Sequence, residues 1–436
     1  MKNRKLILIE LNEINFDIVK DYTDHNSFIF KNINKLLELK NTFSSSEDAY
    51  SLIEPWIQWA SVHTGKTYEE HGVFRLGDIV NSNSPQLFEE IELRGYRVGA
   101  ISPMNAENRL KSPSYFIADP WTSTNSSKGR FLKSIQEAVS QSVNDNSKGR
   151  ITLKSLFVIL FAFIRYSKFK NLSTYCSLAI KSLGKPWRKA LFLDLLLSDL
   201  HTSLFKSTKT DFSTIFFNAG AHIQHHYLFN SSVLKDKEGH ASKNPPWYID
   251  EDLDPFHEML KVYDIILGDH FKTAGDKVEM IVATGLSQIP YDSIKYYYRL
   301  KDHDQFLSII NCVYTFVEPR MTRDFLVSFD SSLDAINAQS LLEGLYINET
   351  PMFNEIDNRG ESIFVTLTYP FEILKGDKLK LAGNVVAEAS DYTVFVAIKN
   401  GMHQSKGYNF FTSKLTATDN NAHVKNIYNT IKDYLV

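Results

Sequence analysis

Residues 5–11, KLILIEL, form an almost unbroken apolar run, the pattern of a strand buried on both faces of a parallel sheet. A helical period follows and contains residues 32–39. Residues 51–65 read as a turn and then a helix carrying Trp59 and Val62, residues 86–94 as a second helix, and residues 96–101 as another strand. Strands alternating with helices predict an α/β sandwich around a mostly parallel sheet. From 123 to 210 the pattern turns helical, polar at first (SIQEAVSQSVNDNSKGR) and apolar afterwards (ALFLDLLLSDLHTSLF), which reads as an inserted helical cap. Strand patterning returns at 213–217, with a helix over 255–274 and a strand over 278–283.

Between 292 and 373, aromatic-rich strands (CVYTFVEP, FLVSF, SIFVTLTY) and a helix near 332–345 predict a smaller α+β insertion. Residues 392–398 and a closing helix over 422–434 are read as the return to the main domain. The division is therefore core 1–122, helical cap 123–210, core 211–291, α+β insertion 292–373 and core 374–436. No internal repeat is present, and the Asn/Ser-rich stretches at 81–85 and 123–128 read as loops.

A chain of 436 residues with 43% hydrophobic residues is long enough to bury a large core. Its formal net charge of -3 argues against a nucleic-acid partner. Aromatic content of 13% favours large cores and stacking clefts alike. Cys176 and Cys312 form no CxxC pattern, so neither a disulfide framework nor a thiolate zinc site is expected. The apolar run Leu6 to Ile9 is too short for an export signal, and a cytoplasmic setting is the expectation. Residues 155–170, SLFVILFAFIRYSKFK, fall short of the roughly 20 residues that span a bilayer. Two readings stand: a buried helix, or an interfacial helix on the inner leaflet with Arg165, Lys168 and Lys170 near anionic headgroups.

Several segments then follow one another in an order that resembles the alkaline phosphatase superfamily, the group of nucleotide pyrophosphatases, phosphodiesterases and sulfatases. They are LILIELNEINFDIV, WASVHTGKTYEEHGV, FFNAGAHIQHHY, VYDIILGDHF, MIVATGLSQ and NGMHQSKGYNFF. The resemblance implies an alkaline-phosphatase-like fold and a cleft that in the family holds two zinc ions. It also implies that the ligand set is depleted. The opening aspartate falls on Asn12, the hydroxyl nucleophile on Pro55, the Asp of the Asp-x-x-x-His element on Ala221, and the Asp-His pair on Gly285 and Leu286. Only His225 and His403 remain as matching ligands. A neutral amide is a poor zinc ligand, and a two-metal clamp needs several carboxylates. No cofactor is therefore expected, or at most one divalent metal, held by Glu10, Asn12, His225 and His403 with Glu13, His222 and His226 as nearby substitutes.

Other residues offer chemistry of their own. Glu10 and Asn12 end the first strand, the edge where open α/β sheets bind ligands. Glu54, before Pro55 at the mouth of a helix, is a candidate general base or an ordinary helix N-terminal charge. The catalytic candidates are Glu10, Glu54, His225 and His403. Substrate-binding candidates are Asn12, Trp56, Gln58, His222, Ser287 and Gln288, joined by Arg320 and Arg323, whose spacing suits an oxyanion or diphosphate. His63 and His71 read as structural.

The leading expectation is an enzyme of altered chemistry acting on a phosphate-bearing or nucleotide-activated sugar in cell-surface polysaccharide assembly, by group transfer with a carboxylate base. Its partners would be a nucleotide sugar, sugar phosphate or glycan, with peripheral inner-membrane contact through 155–170. The alternatives are a single-metal phosphodiesterase or phosphatase, and a non-catalytic protein that binds a glycan or partner.

Overall fold

The first strand, β1 (Leu6–Leu11), is wholly buried and sits at the middle of the main sheet. The computed structural model describes residues 4–25, 28–125, 129–144, 152–238, 242–320 and 323–435. Parts of two expected segments, the loop at 126–128 and the polar stretch at 145–150, lie outside them.

The sheet is completed by β2 (Lys40–Ser45), β3 (Val98–Ile101), β4 (Tyr115–Ile117), β5 (Phe212–Phe217), β6 (Glu279–Ala283), β7 (Gly407–Phe411) and β8 (Ala422–His423). Its order is β8-β2-β7-β6-β1-β5-β3-β4. β1 pairs in parallel with β5 and β6, and β3 with β5 and β4. Only β7 runs against its neighbours β2 and β6. The protein is thus an α/β fold with a mostly parallel sheet, as the alternating pattern predicts.

Period-2 alternation along β1 divides the core. Ile7, Ile9 and Leu11 face one apolar cluster and Leu6 and Leu8 the other. Helix α1 (Pro55–Thr64) brings Trp59 and Val62 to the second cluster. It starts with proline in its first turn and stops at Gly65, whose φ of 69° is the left-handed closure that glycine accepts most readily. On the first face lie α2 (Leu153–Tyr166), α3 (Leu172–Ile180), α4 (Pro186–Ser207), α5 (Ala219–Tyr227) and α6 (Pro255–Ala274). Helix α7 (Asn426–Leu435) closes the second.

Two compact units emerge: residues 1–290 with 401–436, and residues 291–400. The second contains two four-stranded sheets and the helix Ser332–Glu343. It extends beyond the expected boundary at 373, because the strand Thr393–Gln404 belongs mostly to it instead of returning directly to the core. The closing helix begins at Asn426, since Ala422 and His423 add an edge strand to the sheet.

Candidate metal centre

Where β1 ends, the backbone stays tethered for two more residues: Asn12 N–H donates to the Phe217 carbonyl and Glu13 N–H to the Thr284 carbonyl. Glu13 then adopts φ 62°, a left-handed conformation uncommon for a residue with a side chain. Its carboxylate meets His225, from α5, and His403, from the strand that returns to the core. Both imidazole Nε2 atoms lie 3.0 Å from Glu13 Oε2. They are 3.2 Å from each other.

The far side of each ring fixes its tautomer. His225 Nδ1 lies 3.2 Å from the Gly401 carbonyl, which can only accept, so Nδ1 carries hydrogen. His403 Nδ1 lies 3.4 Å from Glu54 Oε2, another acceptor. In the neutral rings both Nε2 lone pairs therefore point at the Glu13 carboxylate and at one another. Three lone-pair atoms at such distances repel unless a cation or proton stands among them. A tetrahedral ion with bonds of about 2.0–2.1 Å separates its ligands by about 3.3 Å, close to the spacing found. Glu13, His225 and His403 thus fit one divalent ion, with acceptors behind both rings in the manner of metal-ligating histidines.

The carboxylate is held in place by amides. Asn12 Nδ2 donates to Glu13 Oε1 at 2.9 Å, and Gln288 Nε2 donates to Glu13 Oε2. Gln288 Nε2 also reaches the Ala221 carbonyl at 3.0 Å. Burial opposes ionisation of Glu13, but His403 and His225, when protonated, outweigh it and hold the carboxyl well below its ordinary range. The side chain of Glu13 is only 3% exposed, whereas those of His225 and His403 are 16% and 13% exposed, so access comes from the histidine side. Gly401 is needed for the close approach. A Cβ there would fall 2.8 Å from the Gln224 carbonyl and against Gln288 Oε1.

Several expected site residues are placed elsewhere. Glu10 is fully buried on the face of β1 covered by α1, 3.1 Å from His63 Nε2 and accepting from the Thr214 hydroxyl. It is neither at the cluster nor open to a substrate, because alternation turns it into the core. Asn12 is 1% exposed, and its amide is occupied: the oxygen accepts from the Trp59 indole at 2.8 Å, and the nitrogen donates to Glu13 and to Asn218 Oδ1. It steadies the ligand instead of serving as one.

Gln58 is fully buried and donates to the Leu52 carbonyl. Trp56 donates its indole hydrogen to the Phe74 carbonyl at 3.0 Å. Ser287, also fully buried, donates to the Lys406 carbonyl and accepts from Gln404. His222 is exposed and packs on His226, with ring centroids 4.6 Å apart, one helical turn along α5. Arg320 and Arg323 belong to the second unit, where Arg320 pairs with Glu318 at 2.8 Å and Arg323 lies 4.0 Å over the Tyr297 ring.

Of the expected catalytic residues, the structure brings together His225, His403 and Glu54. Sequence reasoning underrated Glu13, which appeared only as a substitute ligand. Its signal was an acid just beyond a buried strand, at the sheet edge where ligands bind.

No family model matches the sequence, and no curated protein matches it at the sequence level. Among solved structures, the chain is similar to phosphonoacetate hydrolase from Sinorhizobium meliloti 1021, at 10% identity and a TM-score of 0.46, covering 100% of this chain and 96% of that one. It is similar to murine ectonucleotide pyrophosphatase/phosphodiesterase 5, at 9% identity and a TM-score of 0.42, covering 99% and 95%. Wild-type alkaline phosphatase PafA aligns at 10% identity with a TM-score of 0.48, covering 99% and 96%. At these identities and scores the likeness is one of chain path, and the roles of individual residues rest on the geometry above.

Proposed function

We propose that this protein processes phosphate esters with the help of one divalent cation held by Glu13, His225 and His403. The observation that carries the reading is the convergence of three lone-pair atoms within 3.2 Å of one another, each braced from behind. The donor set, two imidazoles and a carboxylate, suits zinc or another divalent transition ion with room for a further ligand. The ester class rests on the resemblance of the motifs to the alkaline phosphatase superfamily. An ion so held would supply Lewis acidity to a phosphoryl oxygen.

The remaining roles belong to the chain. Asn12 and Gln288 aim the Glu13 carboxylate, the Gly401 carbonyl sets the tautomer of His225, and Glu54 does the same for His403. Glu54 is 28% exposed at the start of α1, where it can take a proton from an incoming hydroxyl or water. This geometry favours the single-metal phosphodiesterase or phosphatase over group transfer to an activated sugar with Glu10 as base, because Glu10 is closed off beneath α1. Glu54 keeps open the carboxylate-base step common to both.

The test is hydrolysis of aryl phosphate mono- and diesters by protein loaded with zinc or manganese. Turnover that a chelator removes and added metal restores is expected. Metal-loaded wild-type protein with no turnover on either ester class would overturn the reading.

A further inference from the structure

Helix α2 is apolar over most of its surface, yet only part of that surface is covered. Val158, Ile159 and Phe163 pack against the core cluster. On the opposite side Leu153, Leu156, Phe157, Leu160, Phe161 and Ile164 are 49–75% exposed. Their spacing of i, i+3, i+4, i+7, i+8 and i+11 draws one continuous stripe along the helix. Phe169 and Leu183, in the turns that follow, and Ile180, at the end of α3, are 89%, 87% and 76% exposed. Isolated exposed apolar residues need no explanation, but a contiguous patch of this kind marks an interaction surface.

Charge identifies what covers it. From residue 153 to 193 the chain carries eight Lys and Arg and no Asp or Glu, against a net charge of -3 for the whole protein. Lys168 and Lys170 are tied to Asp269, and Arg188 to Glu258, so these three hold the fold together. Lys181 and Lys189 make no ion pair among the described residues, and Arg165 lies over the Tyr166 ring, 5.3 Å from its centroid. A second copy docking by the same patch would set like charges against each other. No helix among the described residues is long and apolar enough to cross a membrane, and the 14 residues of α2 fit a helix lying in the plane of the interface.

We infer that the outer stripe of α2, with the turns around α3, seats the protein on the surface of a bilayer containing anionic lipid. The apolar side chains enter the headgroup boundary, and Arg165, Lys181 and Lys189 meet lipid phosphates. Two of the three cations expected from sequence to do this, Lys168 and Lys170, are replaced by Lys181 and Lys189.

Flotation of the full chain with vesicles tests this, comparing phosphatidylcholine alone with equal parts phosphatidylcholine and phosphatidylglycerol. Strong partition to the mixed vesicles, weakened by salt, is expected, with little to phosphatidylcholine. The triple variant L156S/F157S/I164S, altered only at outward positions, should bind at least about tenfold less. The charge variant K181E/K189E should lose the preference for anionic vesicles while its circular dichroism stays that of wild type. Three results would overturn the inference: no flotation of wild type, undiminished flotation of both variants, or a concentration-dependent dimer that the triple variant abolishes.

Discussion

Two carboxylate–imidazole contacts, at Glu10 on β1 and at Glu13 just past its end, lie three residues apart and have opposite fates. Glu10 and His63 are both 0% exposed and meet at 3.1 Å inside an apolar cluster. Glu13 meets two imidazoles at 3.0 Å at the strand's end, where the histidines retain solvent access. In the first pair Glu10 Oε2 and His63 Nδ1 have no hydrogen-bond partner among the described residues. In the second, both Glu13 oxygens and both outer ring nitrogens are engaged. The same side chains thus make a sealed structural contact in one place and a braced, accessible ligand cluster in the other. What differs is the direction of the backbone: regular alternation buries Glu10, whereas the left-handed turn at Glu13 carries its carboxylate out to the helix and strand ends.

A third carboxylate sharpens the contrast. Asp194 in α4 is buried and accepts from the Ala219 N–H and the Tyr263 hydroxyl, with no cation beside it among the described residues. Burial pushes its carboxyl up to about 7. Glu13 is buried as deeply, yet the imidazoles at His403 and His225 hold its carboxyl low. Burial alone therefore does not set these groups; the groups facing the carboxyl decide, and at Glu13 the protonated forms of His403 and His225 lower it.

The sharpest way to break the comparison is to remove one partner from each pair. His63→Ala strands the Glu10 carboxylate in the core and should cost about 3–5 kcal/mol of stability. Denaturant unfolding would measure this, with metal content per folded chain unchanged. A fully stable His63→Ala protein would show that the sealed pair is not structural. Glu54→Gln keeps the fold but weakens the brace behind His403, and metal affinity should fall about 10- to 100-fold. Titration with a competing chelator would read it, and unchanged affinity would remove Glu54 from the site.

A third effect concerns pH. In the folded chain Asp194 keeps its proton up to about 7, whereas unfolded it releases it near 3.8. The folded state binds the extra proton between those values, so this contribution is complete below 3.8 and is lost as pH rises through about 7. Stability should decline across that window, and Asp194→Asn should flatten the decline. An unaltered slope in the variant would assign the dependence to another group.

Much of the fold was legible in the sequence because burial on both faces leaves unbroken apolar runs such as β1 and β6. His225 and His403 were legible because the motifs around them fall in a recognisable order. Glu10 misled because alternation tells which residues share a face but not that α1 lies over it. Asn12 misled because an amide's partners, here Trp59 and Asn218, come from distant segments. Glu13 was obscured by its φ of 62°, which no propensity for glutamate foretells. Arg320 and Arg323 suited an anion by spacing alone, and spacing carried no sign that Glu318 and Tyr297 already occupied them.

The central claim is one cation on one carboxylate and two histidines, and elemental analysis of protein purified after zinc loading and desalting tests it most directly. Close to one ion per chain in wild type, and almost none in Glu13→Gln or His403→Ala variants that remain folded, is the predicted result. Two ions per wild-type chain, or a full complement retained by Glu13→Gln, would contradict it.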